Sequence, residues 1–401
     1  MKKFPQTLIF ALIILSESHY LQAQDSLLIN IIKQNYKTFQ VENNQFSGKG
    51  WDFISEKTIS TKNVLIGEDH FTNEIPLFVK SLSDVTEFDN IYIEVDPYST
   101  QIIETSLTEF SEKQRQEFID GYGDLLAFSS FKPEYELLQH MSKSGTKILG
   151  SDQVVMYADQ LIFQDILMKT KNPKAKEIYS RVIEQSKLHL EKFYNVTKNP
   201  MTLYFMSDDF RNDLSQLKNL ELSEIEYNII EDIIRSITIY KEQNHAFRIQ
   251  LILNGLMKDY PSWKDSKNLF KYGAYHLPRG ESFLHEYDLG NMVSNITRSN
   301  YEESLHIMII GESGMVGSIF KPFPPQSVNI QQGLLSNFKP FYDITEGKSW
   351  YMFNLVSIRK KIKSKKLRLE NMQLLRLING YDIFVVIPEV TPSKLLTTTN
   401  H

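Results

Sequence analysis

Four stretches of the chain end an apolar run and then present ionisable side chains. Val64-Leu65-Ile66-Gly67 is followed at once by Glu68, Asp69 and His70. Ile91-Tyr92-Ile93 leads into Glu94, Val95 and Asp96. Leu149-Gly150-Ser151 ends in Asp152, and Phe270-Lys271-Tyr272-Gly273 opens into Ala274, Tyr275 and His276. The first and last share the spacing Gly-x-x-His, about 200 residues apart. If folding brings them together, two imidazoles and a carboxylate can build either of two sites. With a divalent metal, His70, His276 and Glu68 or Glu94 would be ligands that leave a position for water. Without one, the same groups act as a general base and its orienting acid. Spacing does not separate the two, because both need His and Glu converging on one water. A lone strand-end His is more often structural than catalytic. Recurrence at four strand ends, and the cost of burying an ionisable group without a use, make Glu68, His70, Glu94 and His276 the candidate catalytic set.

Several other residues are candidates for holding substrate. Asp152 and Tyr275 belong to the same strand ends. Glu74 follows His70 by one helical turn and can share its face, or can equally serve as an ordinary first-turn acid complementing the helix dipole. Arg248, in a helical pattern from Asn244 to Met257, can offer a guanidinium to an anionic substrate or pair with Glu94. His285 comes nine residues after His276 in an apparent helical stretch. His140, His189 and His245 sit in ordinary amphipathic patterns and read as structural. Gly311-Glu312-Ser313-Gly314 is not a nucleophile elbow, since Met315 stands where the second glycine belongs. No phosphate loop or dinucleotide fingerprint occurs.

The elements that must position these residues can be read from the pattern. Asn63 to Gly67, Asn90 to Val95, Thr146 to Gly150, Asn268 to Gly273, His306 to Gly311 and Tyr381 to Ile387 are short aliphatic runs bounded by turn residues, hence buried strands. Helical stripes lie between the first three, with Ile75, Phe78, Val79 and Leu82 on one and Tyr135, Leu138 and Met141 on the next. That alternation implies an α/β fold with a mostly parallel sheet flanked by helices. From about residue 154 to 258 the pattern is amphipathic helix alone, a long helical insertion. Within it Ser223 and Glu226 have capping-box spacing, with Leu222 and Tyr227 at staple positions. Residues 25–401 then read as one α/β hydrolase-like domain carrying that insertion.

The N-terminus has signal-peptide order: Lys2 and Lys3, the apolar run Leu8 to Leu15, and a polar stretch to Ala23 and Gln24. The run is too short to span a bilayer, so export to the periplasm or medium is expected, with no stable membrane insertion. The 401 residues carry net charge −5, no cysteine, and 25 Phe and 20 Tyr. This balance disfavours a general nucleic-acid binder, excludes disulfide and thiolate chemistry, and supplies a large core. The basic run from Lys360 to Arg368 reads as a solvated face.

The site segments resemble the erythromycin-esterase-like proteins within the wider haem-binding-uptake/Tiki superfamily. The matching pieces are Gly67-Glu68-Asp69-His70, Glu94, Gly150-Ser151-Asp152, the Arg248 to Asn254 helix, Gly273 to His276, and Leu289-Gly290. The resemblance implies an exported hydrolase in which strand-end Glu and His activate water for ester or lactone cleavage. It also implies two alternatives: a Tiki-like metal-dependent peptidase, and a haem or small-ligand binding protein whose cleft is lined by Tyr92, Tyr272 and Tyr275. A small-molecule substrate and no cofactor are expected, with a divalent metal as the alternative. Phe71 departs from the pattern, which has glycine after the first histidine, and its ring is expected to reshape the pocket.

Overall fold

The computed structural model describes residues 24, 26–318, 320 and 323–397. The expected leader, residues 1–24, lies outside the described residues except for Gln24. Eleven strands are present among the described residues: β1 (Tyr36–Glu42), β2 (Gln45–Ser47), β3 (Asn63–Glu68), β4 (Asn90–Ile93), β5 (Lys147–Gly150), β6 (Asn268–Gly273), β7 (Leu305–Gly311), β8 (Met315–Val316), β9 (Gln326–Ser327), β10 (Trp350–Asn354) and β11 (Ile383–Ile387). Nine form one sheet in the order β2-β1-β10-β11-β7-β3-β6-β4-β5, and β8 pairs with β9 apart from it. The six strands from β11 to β5 are mutually parallel. An antiparallel edge of β10, β1 and β2, absent from the sequence reading, closes the other side.

Two-residue alternation divides the strands between two apolar layers. Val64, Ile66, Ile91, Ile93 and Leu269 face a core with Ile54, Phe78, Leu82 and Leu138 from helices Lys49–Ile59, Glu74–Val85 and Lys132–Lys143. Leu65, Tyr92, Phe270 and Tyr272 face the other, built with Val293, Ile358 and Leu377 from helices Leu289–Ser299, Leu355–Lys363 and Met372–Gly380. Strands buried on both faces read as continuous aliphatic runs, which is why these six were visible in the sequence.

The helices between Asp159 and Lys258 have their own core, in which Phe163, Tyr179, Phe210 and Ile230 are buried together. The capping box is formed, with Ser223 and Glu226 satisfying each other's backbone N–H. Its chain exits through the Arg248 helix and enters β6, which slots between β3 and β4. The two Gly-x-x-His segments therefore leave from neighbouring strands in near register, Glu68 opposite Gly273.

After β11 the chain turns back over the carboxyl ends of the parallel strands. Ser393 N–H donates to Phe71 O, Lys132 N–H to Lys394 O, and Leu396 N–H to Ser130 O. Residues 390–397 thereby tie the loop after β3 to the segment 124–132. The lysines and arginine of the Lys360–Arg368 run are exposed at the end of helix Leu355–Lys363 and in the turn beyond it. Among the described residues, no helix is long and apolar enough to cross a membrane.

Candidate active site

Parallel strands ending side by side leave a crevice beyond their carboxyl ends. Here it is a cavity of about 690 Å³ whose lining includes Glu68, His70, Glu94, Asp152, Arg248 and His276. Apolar walls come from Phe128, Val155, Met308, Ile310, Leu284 and Leu334. Glu94 is the hub. It lies just past β4 rather than within it, because Val95 N–H turns back onto Ile93 O. One carboxylate oxygen accepts from Gly273 N–H at 2.6 Å and the other from Arg248 Nη2 at 2.7 Å. The Nε2 atoms of His70 and His276 each stand 3.5 Å from this carboxylate, on opposite oxygens.

Each imidazole is oriented through its other nitrogen. His70 Nδ1–H donates to Glu68 at 2.9 Å, and the ring stacks on Phe128 with centroids 4.4 Å apart. His276 Nδ1–H donates to Asp288 at 2.7 Å. Asp288, overlooked in the sequence, also caps helix Leu289–Ser299; its signal was a cap-forming acid directly before Leu289-Gly290. His70 is 23% exposed and opens to the cavity, whereas His276 is only 4% exposed.

Glycine at 273 makes the convergence possible. A Cβ there would lie 2.7 Å from His70 Nε2 and 3.3 Å from Glu94. Gly273→Ala is expected to push the His70 ring out of place and reduce kcat/KM by about 10–100-fold, with the thermal midpoint little changed. Steady-state kinetics and a melting curve check it, and an unaffected kcat/KM would refute it.

The electrostatics follow from this packing. Burial alone would push the His70 imidazole down, but the Glu94 charge and hydrogen bonds to Glu68 and Glu94 outweigh it and raise it to about 10. Burial likewise opposes charging of His276, yet Glu94 and Asp288 raise it to about 9. Glu94, which burial would raise, is held well below the usual carboxylate range by the two imidazoles. At neutral pH the cluster is thus two imidazoliums and a guanidinium around one carboxylate.

The other sequence candidates divide. Asp152 binds Arg248 Nε and Nη2 at 2.9 and 2.5 Å, so Arg248 bridges Asp152 and Glu94. Tyr275 lines the cavity and is partly exposed. Glu74 does not reach it: its carboxylate accepts from Thr391 N–H and hydroxyl. His285 is not helical; it sits at φ 66° in a turn, its ring directed at Arg376 and Glu281 outside the cavity lining. Tyr92 and Tyr272 are buried in the core, so of the three tyrosines only Tyr275 faces the cavity. Phe71 adopts φ 67°, the left-handed region that favours glycine, and packs on Phe128 and Phe131 instead of entering the cavity. Its ring lies 5.6 Å from that of His70, so it bears on the pocket through His70 as well as through Phe128. His245, read as structural, lines the cavity with its ring 5.7 Å from His276.

The same residues bear on the metal alternative. Glu68 is turned to His70 and Lys271, and both oxygens of Glu94 are engaged by Gly273 and Arg248. Among the described residues no group of three His, Asp or Glu is arranged to hold a metal ion. A dication would share its carboxylate with a guanidinium, so the donor set fits a divalent metal poorly.

No family model matches the chain, and no curated protein matches it by sequence. Three solved structures share its fold. One is a Bacillus cereus protein at 13% identity, covering 92% of this chain and 99% of that one, with a TM-score of 0.53. A succinoglycan biosynthesis protein is 12% identical over 93% and 99%, with a TM-score of 0.55. The third is a mutant of erythromycin esterase EreC in its open conformation, 12% identical over 90% and 99%, with a TM-score of 0.59. The chain thus has an erythromycin-esterase-like α/β fold.

Proposed function

We propose that this chain is a metal-free hydrolase of esters or lactones. The observation that carries the reading is the meeting of two imidazoles across Glu94, each with its Nδ1 held by a separate carboxylate. His70, the more exposed, takes a proton from water through Nε2 when neutral, and the water attacks the carbonyl. His276, buried and cationic, and Arg248 provide positive charge as the carbonyl oxygen becomes an alkoxide. Collapse of the intermediate expels the alcohol, which receives the proton from His70. The apolar walls suit a substrate with a hydrophobic body and one ester at the charged floor. The likeness to an erythromycin esterase structure supports a hydrolytic fold and leaves the substrate open. The leader-like N-terminus supports an exported location, periplasmic or secreted.

A panel of aryl esters, macrolactones and peptides, with and without chelator, tests the reading. Turnover of esters or lactones indifferent to chelation is expected. Chelator-sensitive peptide cleavage with a stoichiometric metal by elemental analysis would replace it with the peptidase. A haem Soret shift with no turnover would replace it with the binding protein.

A further inference from the structure

Lys271 has no place in the mechanism above, and the sheet gives no structural reason for a cation there. In register it lies between Ile66 on β3 and Ile93 on β4, both in the apolar core. The face it shares with Leu269 calls for an aliphatic residue. Its side chain is 4% exposed, and it does not line the cavity. Its ammonium sits 2.7 Å from Glu68 Oε2 and 2.8 Å from Glu134 Oε1, the latter in the first turn of helix Lys132–Lys143. Burial would push this amine down, but Glu134 and Glu68 outweigh it, so it stays charged. Buried ion triads are weak sources of stability, because desolvation consumes most of the attraction. What this one does is hold Glu68: Lys271 takes Oε2 while Oε1 accepts from His70 Nδ1–H.

We infer that Lys271 is a positioning residue: anchored by Glu134, it fixes Glu68 in the orientation that grips Nδ1 of His70 and so sets the ring with Nε2 toward Glu94. It acts through Glu68 and never meets the substrate. The kinetic half of this inference rests on the hydrolytic reading; the geometric half does not.

Lys271→Met alone would leave two buried carboxylates without their cation and endanger folding. The informative variant is Lys271→Met with Glu134→Gln, which leaves Glu68 only its bond to His70. It is expected to lower kcat about tenfold or more with KM within about twofold, and to speed solvent exchange of the His70 Nδ1–H proton about tenfold in ¹⁵N-histidine NMR. On a Glu68→Gln background the same two substitutions should cost less than about twofold more, since the path through Glu68 is already cut. Glu134→Gln by itself, which keeps the lysine, should give an intermediate exchange rate. Fully additive losses in the Glu68→Gln background, or an unchanged Nδ1–H exchange rate in the folded variant, would overturn the assignment. Should the wild type hydrolyse nothing in the panel, the exchange rates still decide it, while the proposed activity fails separately.

Discussion

His70→Ala should lower kcat/KM for ester or lactone hydrolysis by about 10²–10⁴-fold, the range for removing a positioned general base. The denaturation midpoint should fall too, because the cationic ring is one of the two that hold buried Glu94 ionised, although Glu68 remains held by Lys271. The wild type carries a second signature. With His70 raised to about 10 by Glu94 and Glu68 against the opposing effect of burial, roughly one imidazole in a thousand is neutral at pH 7. The logarithm of kcat/KM should therefore climb with unit slope from neutrality to about pH 9, where His276 begins to lose its charge and the rise levels off. Glu94→Gln removes the largest raising influence and should draw that limb toward the ordinary imidazole range. A flat profile between about pH 6 and 9, or activity retained by His70→Ala, would remove His70 from the role of base.

Arg248→Leu should be the most destabilising single change at the site. The guanidinium neutralises Glu94 and Asp152, both nearly inaccessible, through three hydrogen bonds. Removing it leaves Asp152 buried without its cation and takes from Glu94 one of its three cationic neighbours, at a cost of about 3–5 kcal/mol. The pH dependence should move with it. In the wild type Glu94 is depressed on folding, so its contribution is complete above its ordinary value of 4.5 and is lost as pH falls toward its lower folded value. The two imidazoliums that supply that depression remain in Arg248→Leu, so the smaller overall stability is exhausted sooner on acidification and acid unfolding should begin at higher pH. Urea unfolding of both proteins at neutral and acidic pH measures this. A midpoint equal to the wild type's would mean that water replaces the guanidinium.

Much of the parallel sheet was legible because its strands are buried on both faces and their ends break at Gly67, Gly150 and Gly273. The edge was not: β1 exposes most of its residues and buries Phe39 alone, so Tyr-Lys-Thr-Phe-Gln-Val-Glu carries little apolar signal. Nor does the sequence state that β6 enters between β3 and β4, the fact that makes Glu68 and Gly273 neighbours. Glu74 and His285 were misassigned for one reason. Proximity in sequence to a histidine of interest says nothing of direction, and Thr391 and Arg376, which claim them, come from remote parts of the chain. Lys271 could have been flagged as the one charge inside Leu-Phe-Lys-Tyr. Its partner Glu134 could not, because a first-turn glutamate is ordinary.

The returning segment 390–397 has a bearing on how the site is assembled. Its backbone holds Phe71, one residue from His70, and also Ser130 and Lys132, beside the Phe128 ring on which His70 stacks. The loop that carries His70 is therefore fixed only once residues 390–397 have folded back over the carboxyl ends of the parallel strands, so its shape depends on a contact between segments remote in the chain.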